Sequence, residues 1–243
     1  MRIACIGGGP AGLYFSISMK LRDPSCEVVV LERNKPDDTF GWGVVLSDET
    51  LENLEKNDPQ SAATIRANFA YWDDIALHFK GQRLVSSGHG FCGIGRKKLL
   101  MLLQQRAQDL GVDLRYETEV DSAEAYRSDY DVVVANDGLN SKARMLYQDT
   151  FKPAIDERLC QFVWLGTHQT FKDAFTFIFE ETKHGWVWVH AYQFDQNTAT
   201  FIVECTQETF DAWGFGEMSQ QESITVCEDI FKDYLGGLSL IHI

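Results

Sequence analysis

The apolar positions of this chain change their period along its length. Residues 2–6 (Arg-Ile-Ala-Cys-Ile) form a short, nearly continuous apolar run, which breaks at Gly7-Gly8-Gly9-Pro10-Ala11-Gly12. Over residues 11–21, Leu13, Ile17 and Leu21 recur at helical spacing, and Asp23-Pro24-Ser25 ends the stretch. Residues 27–31 (Glu-Val-Val-Val-Leu) predict a second buried strand. Strand, glycine turn, helix and strand make one βαβ unit, which implies parallel pairing and a right-handed crossover. Residues 35–47 carry Pro36, Gly41 and Gly43 and read as loop. A helix is predicted from Ser47-Asp48-Glu49 through Leu51 and Leu54.

Residues 75–79 and 83–86 read as two strands joined near Lys80-Gly81, and residues 88–95 as a glycine-rich segment. Residues 96–110 predict an amphipathic helix that Gly111 terminates. Short strands follow at 114–116 and 131–135, and the triple valine of the second predicts burial on both faces. Beyond about residue 155 the texture becomes that of a sheet. Segments 162–168, 174–179, 186–192 and 200–205 are β-rich and separated by turn-like connections. They predict an antiparallel sheet, followed by a helix over 220–235. Trp164, Trp186 and Trp188 lie in or beside that sheet, where aromatic rings can wall a pocket or simply fill a core.

Composition narrows the function. Hydrophobic residues at 44% and charged residues at 24% are ordinary for a globular protein, and an aromatic content of 12% argues against disorder. A net charge of −14 argues against nucleic-acid binding, which needs clustered Lys and Arg. The six cysteines include no C-x-x-C pair, so reduced thiols in a cytoplasmic protein are expected, with no metal site. No apolar stretch approaches the roughly 18 residues that span a membrane, so no membrane partner is expected.

The sharpest signal is Gly7-x-Gly9-x-x-Gly12. It follows a strand and opens a helix, and Glu32 ends the next strand 20 positions beyond Gly12. That context is what a dinucleotide-binding turn requires. Gly7 permits the tight turn, Gly9 lets backbone approach a pyrophosphate, and Gly12 lets the helix pack closely on the sheet. The helix starting at Pro10 and Ala11 presents unpaired N–H groups to phosphate. Glu32 can accept hydrogen bonds from a ribose diol, and Arg33 lies beside it. The fingerprint does not separate NAD from FAD, since both carry an ADP moiety, and it names no reaction. A glycine-rich turn with no ligand is the bland alternative.

Two further segments bear on that choice. After the valine strand, Asp137-Gly138-Leu139-Asn140-Ser141-Lys142-Ala143-Arg144 resembles the D-G-x-x-S-x-x-R motif of FAD-dependent aromatic monooxygenases, the flavoprotein hydroxylases. Gly95-Arg96-Lys97-Lys98-Leu99 resembles that family's arginine-x-x-leucine helix start. A basic helix N-terminus is electrostatically unfavourable, and a bound anion would offset it. Segments 7–13, 40–48 and 87–96 resemble the aryl-CoA branch of the family, the salicylyl-CoA 5-hydroxylases and anthraniloyl-CoA monooxygenases, and the likeness extends over residues 1–237.

The resemblance implies an α/β fold: a Rossmann-like FAD-binding domain of the p-hydroxybenzoate-hydroxylase type over residues 1–155, with an antiparallel β-sheet substrate domain over 156–237. Residues 71–92 are able to join that sheet. It implies FAD contacts from Asp137, Gly138 and Arg96 besides the glycine turn. It also implies NADH or NADPH as co-substrate, O₂, and hydroxylation of an electron-rich, CoA-linked aromatic ring. A homodimer is compatible with it. His89, His184 and His190 are candidates for contact with a phenol or amine, and no catalytic residue is assigned.

The chain also departs from the family. The third motif, a Gly-Asp pair before an apolar stretch, is not found, and Leu238-Ser239-Leu240-Ile241-His242-Ile243 resembles a translated sequencing adapter. The expectation is therefore a C-terminally truncated chain with a non-native tail at 238–243, which folds poorly or binds FAD weakly. A charge of −14 also sits awkwardly with polyanionic CoA, and Arg83, Arg96, Lys97 and Lys98 are the basic residues that remain for it. Other readings are a reductase or halogenase on the same scaffold, a non-catalytic nucleotide-binding fragment, and an NAD-dependent dehydrogenase, which leaves Asp137-Gly138 unexplained.

Overall fold

The computed structural model describes residues 1–242. In chain order the elements are β1 (Arg2–Ile6), α1 (Pro10–Arg22), β2 (Glu27–Leu31), β3 (Gly43–Ser47), α2 (Asp48–Asn57), α3 (Pro59–Arg66), β4 (Ala70–Trp72), β5 (Ile75–Phe79), β6 (Gln82–Ser86) and β7 (Phe91–Gly95). There follow α4 (Arg96–Asp109), β8 (Asp113–Arg115), β9 (Val132–Ala135), α5 (Lys142–Leu146), α6 (Gln148–Phe151), β10 (Cys160–Thr167), β11 (Phe175–Thr182), β12 (Gly185–Gln193), β13 (Ala199–Thr206), α7 (Gln207–Trp213), α8 (Gln220–Leu235) and β14 (Leu240–Ile241). The chain forms two compact units that alternate along the sequence. The first comprises Met1–Thr39, Asn53–Arg66 and Lys97–Asp156, and the second Phe40–Glu52, Ala67–Arg96 and Glu157–Ile243.

The first unit is built on a parallel sheet in the order β8-β2-β1-β9. Its centre is β1, where Ile3 pairs with Val28 on one side and Val132 on the other. The valines of β2 and the apolar residues of β1 are almost fully buried, as the unbroken hydrophobic runs predict. Helix α1 buries Gly12, Leu13, Ser16 and Ile17, and Leu21 lies outside that stripe at 36% exposure. The valines of β9 do not reach the predicted two-sided burial. Val132 is 39% exposed, because β9 is the outermost strand, paired with β1 alone.

Within the same unit, the start of α3 is fixed to α4 by a buried ion pair. Arg106 donates from Nε to Asp58 Oδ2 at 2.9 Å and from Nη2 to Oδ1 at 3.0 Å. Asp58 is 2% exposed at its side chain and Arg106 15%. Ser61 Oγ also donates to Asp58 Oδ2 at 2.6 Å. Burial alone would push the Asp58 carboxyl up, but the bonds from Arg106 and Ser61 outweigh it and hold it below its ordinary value.

The second unit holds a seven-stranded sheet in the order β14-β10-β13-β12-β11-β5-β6. It is antiparallel as expected except between β5 and β11, which run parallel with Phe175 against Ile75. The long connection between those strands permits either direction, whereas a hairpin forces antiparallel pairing. Strands β3, β7 and β4 form a separate antiparallel sheet, so residues 43–47 are strand rather than the expected loop, and the glycine-rich residues 91–95 are strand as well. Their glycines lower strand propensity, yet close packing requires them here: a Cβ on Gly93 would lie 2.3 Å from the Gln193 carbonyl oxygen.

Helix α8 covers one face of the large sheet. It opens with a capping box between Ser219 and Glu222 and ends at Gly236 with φ 60°. Its buried stripe of Ile224, Cys227, Phe231 and Leu235 packs on Leu165, Val187, Val189, Phe201 and Val203. Of the expected non-native tail, Leu240 and Ile241 pair with Thr167 and Gly166 as strand β14, while Ile243 lies outside the described residues.

The Asp58–Arg106 pair yields a test. Asp58→Ala leaves a buried guanidinium without its partner and should destabilise the first unit by about 3–5 kcal/mol, read from urea midpoints. A loss under about 1 kcal/mol, typical of exposed pairs, would contradict the pair's role. The folded pKa is depressed, so the contribution is present above the ordinary value of 3.8 and disappears as pH falls through the folded value.

Candidate functional site

Strand β1 stops at Ile6 because Gly7 takes φ +102°, a backbone conformation that side chains disfavour. The turn it makes is crowded on one side. A Cβ on Gly7 would lie 2.3 Å from the Asn136 carbonyl oxygen, and one on Gly12 would lie 2.1 Å from the Gly7 carbonyl oxygen. Gly9 differs: a Cβ there meets nothing within 4 Å. The three glycines therefore divide into two that let backbone meet backbone and one that faces open space.

Gly9 is also the N-cap of α1. It provides no side-chain cap, Pro10 follows at the first helical position, and the first turn contains no acidic residue. The unpaired N–H groups and the positive end of the helix dipole thus stand without an internal anion. Pro10 and Ala11 are exposed at this helix start, and Arg33 is exposed at the end of β2.

Glu32 braces the turn. Its Oε2 accepts from the Gly8 N–H at 2.7 Å, and its Oε1 accepts from Asn34 N and Nδ2, each at 2.8 Å. The carboxylate expected to meet a ribose thus already carries three bonds, and Oε2, with one, keeps capacity for another. Sequence reasoning missed Gly8 and Asn136, whose parts depend on which strands become neighbours.

Asp137 and Gly138 follow β9 and lie against the same turn, since the Asp137 N–H is 3.2 Å from where a Gly7 Cβ would be. Asp137 Oδ1 accepts from Ser141 Oγ at 2.6 Å, and Oδ2 from the Ala143 N–H at 3.1 Å. Ser141 Oγ in turn caps α5 by accepting from the Arg144 N–H at 2.9 Å. The Arg144 guanidinium closes the loop on the Leu139 carbonyl. Burial would raise the Asp137 carboxyl, but these bonds outweigh it and hold it below its ordinary range. The motif's polar residues thus serve one another first, and Gly138, at φ +83°, leaves its surroundings open.

Arg96, the remaining expected contact, belongs to the second unit. Its guanidinium lies 5.3 Å over the Trp164 ring, and its N–H donates to the Trp42 carbonyl at 2.9 Å. Residues 40–43 close on the large sheet there. Gly43 is held from both sides, donating to Thr200 Oγ1 at 3.1 Å and accepting from the Tyr192 hydroxyl at 2.9 Å. A Cβ on Gly41 would strike Trp164, and Trp42 occupies the space beside Gly166. Tyr192 is buried, which pushes its hydroxyl above the ordinary value.

The period of two along the large sheet gives it two different faces. Val187, Val189 and Ala191 of β12 point to the helix-covered side, and Trp186, Trp188, His190 and Tyr192 to the other. On that second side the strand register builds aromatic rows. Phe162, Glu204, Trp188 and Phe179 lie across β10, β13, β12 and β11, and Trp164, Ile202, His190 and Phe177 form the row beside them. Phe79 stacks on Trp186 at 5.5 Å, and Phe177 meets His190 edge to face at 4.9 Å. Of the three histidines considered from sequence, His190 lies in this face. His89 is paired with Ser86 at 2.7 Å, and His184 packs on Trp213.

The helix-covered side holds a cavity of about 120 Å³ lined by Val163, Val203, Phe210, Cys205 and Cys227 among others. Burial first, then a neighbouring thiol, pushes Cys205 up to about 11 and Cys227 up to about 12. Such thiols are poor nucleophiles at neutral pH. Among the described residues no cluster of three or more His, Cys, Asp or Glu is arranged to hold a metal, and no helix is long and apolar enough to cross a membrane.

The family model described as FAD binding domain matches residues 1–209. The chain is 45% identical to a salicyloyl-CoA 5-hydroxylase of Streptomyces sp. over 179 residues, which are 73% of this chain and 34% of that protein. It is 31% identical to a protodeoxyviolaceinate monooxygenase of Chromobacterium violaceum over 243 residues, 99% of this chain and 65% of the relative. This chain thus spans between one third and two thirds of the length of these curated relatives. Among solved structures, 2-methyl-3-hydroxypyridine-5-carboxylic acid oxygenase superposes with a TM-score of 0.77 at 17% identity, covering 98% of this chain and 69% of that one. The flavin-dependent halogenase CmlS superposes at 0.73 with 18% identity, covering 100% of this chain and 48% of that one. At those identities the likeness speaks for the fold.

The crowding at the turn makes a prediction about stability. Gly12→Ala forces a backbone shift and should cost about 1–3 kcal/mol, seen as a lower melting temperature. Asp137→Ala should cost about 1 kcal/mol, the worth of a lost cap. Because the Asp137 pKa is lowered on folding, that difference should be full above its ordinary value of 3.8 and shrink as pH falls below it. Melting curves of the two variants that overlay the parent at pH 7 would contradict both.

Proposed function

This chain belongs to the family of FAD binding domains, and from that premise we propose that it is the flavin-binding part of an aromatic monooxygenase acting on a CoA-linked hydroxy- or aminobenzoyl ring. The observation that carries the reading is the glycine turn. It joins open space at Gly9 to an uncapped helix N-terminus, beside a carboxylate with an unused acceptor position.

These residues fit an FAD. The pyrophosphate would take the N–H groups at the start of α1, where Gly9 leaves room for it. Glu32 would hold the ribose through the remaining capacity of Oε2. Asp137 and Gly138, fixed by Ser141 and the N–H of Ala143, would supply a second wall of the cradle. The family resemblance names Arg96 as a further FAD contact. When bound, FAD supplies the redox chemistry, taking electrons from NADH or NADPH and activating O₂ for transfer of one atom to the ring.

The chain's own part is to bind, orient and exclude water. The aromatic rows of the large sheet offer flat apolar surface suited to a benzoyl ring. No residue is needed as a nucleophile, and the two buried thiols of the helix-covered side are unsuited to that role. The thioester comes from the likeness to the salicyloyl-CoA 5-hydroxylase, which is partial in both identity and length.

The test separates fold from function at one residue. Gly9→Ala puts its methyl into open space at φ −71°, so the melting temperature should stay within about 1 °C of the parent. FAD affinity, read by flavin fluorescence quenching, should fall at least about tenfold because that space is where the phosphates approach. Loaded with FAD, the protein should oxidise NADH or NADPH faster when 2-hydroxybenzoyl-CoA or 2-aminobenzoyl-CoA is added. Absence of FAD binding by the parent, or equal binding by Gly9→Ala, would sink the cofactor assignment. FAD binding without stimulation by any aromatic thioester would sink the monooxygenase reading.

A further inference from the structure

Glu204 stands among the rings of the large sheet's aromatic face. Glu204 of β13 lies directly opposite Phe162 on one neighbouring strand and Trp188 on the other. Trp188 donates from its ring N–H to Glu204 Oε2 at 2.6 Å. The His190 Nε2 stands 3.9 Å from the same oxygen. Oε1 makes no hydrogen bond among the described residues. The side chains of His190 and Glu204 are 30% and 26% exposed, so both can be reached. Rings flank the pair: Phe162 is 68% exposed, and Phe177 lies edge-on to His190.

A carboxylate surrounded by rings loses hydration without gaining a cation, a placement that costs free energy unless something donates to it. Trp188 satisfies one oxygen and fixes the carboxylate plane. The other oxygen keeps its acceptor capacity on a side chain that is 26% exposed. A ligand suited to this place has a flat ring to lie on the rows and a hydrogen-bond donor on that ring. A second carboxylate or a phosphate would be repelled. We infer that Glu204, oriented by Trp188 and flanked by His190, is the specificity-determining residue that selects aromatic rings bearing a hydroxyl or amino donor over the same ring without one. The inference rests on the monooxygenase reading and deepens it, by assigning the ring substituent to a named oxygen, Glu204 Oε1.

The experiment uses the whole chain loaded with FAD and measures binding rather than turnover. Quenching of its tryptophan fluorescence reports the affinities for 2-hydroxybenzoyl-CoA and for benzoyl-CoA, which differ only in the donor. The parent should prefer the hydroxylated probe by on the order of tenfold, as expected for a hydrogen bond to a charged group. Glu204→Leu should abolish that preference by weakening the hydroxylated probe, leaving benzoyl-CoA within about twofold. Glu204→Gln keeps the shape and one acceptor oxygen, so it controls for misfolding and should retain part of the preference. Equal affinities in the parent, equal weakening of both probes by Glu204→Leu, or a preference that survives it would each overturn the inference. FAD titration of the same samples keeps the two readings apart. FAD binding without discrimination removes only the role of Glu204, and discrimination without FAD binding removes only the flavin reading.

Discussion

At the end of β1 the backbone of Gly7 runs against the carbonyl of Asn136, and the first turn of α1 runs against the carbonyl of Gly7. Neither approach leaves room for a methyl group. This close contact allows three parallel strands and one helix to converge on a single point, and much of the first unit follows from it. β9 can pair with β1, so that Asp137 arrives beside the turn. Helix α1 starts at the same place, where Gly9, unlike Gly7 and Gly12, faces open space. Three glycines that look equivalent in sequence thus divide into two in close packing and one facing open space.

The polar residues around the turn serve structure before they serve a ligand. Glu32 holds the Gly8 and Asn34 N–H groups, and Asp137 holds Ser141 and the start of α5. Each carboxylate is thereby fixed in orientation. The same economy appears in the second unit, where Tyr192 and Thr200 clasp both backbone groups of Gly43. A residue that looks like a binding residue in sequence can be a bracing residue whose unused lone pair is what remains for the ligand.

The large sheet separates its tasks by face. One side is covered by α8 and packs as ordinary core, with Phe201 and Phe231 fully buried. The other keeps most of its rings partly exposed, and Glu204 and His190 stand among them. Strand register creates this pattern: Trp188 and Glu204 are 16 positions apart in sequence and directly opposite in the sheet.

The sequence by itself determined the βαβ unit, the glycine turn, helices α4 and α8, and most strands of the large sheet, because their apolar periods and caps are local. It also identified the residues at the turn, since the fingerprint is a local consequence of backbone geometry. It misread residues 43–47 as loop and left the glycine-rich residues 91–95 without an element, because glycine weakens strand propensity and the partner that makes them strands lies about 50 residues away. It placed the valines of β9 in a two-sided core, because a run of valines does not reveal whether its strand lies at a sheet's edge. Parallel pairing of β5 with β11, the bracing of Glu32, and the meeting of Trp188 with Glu204 were decided by tertiary structure alone. Each depends on which distant backbones become neighbours, and hydrophobic period carries no record of that choice.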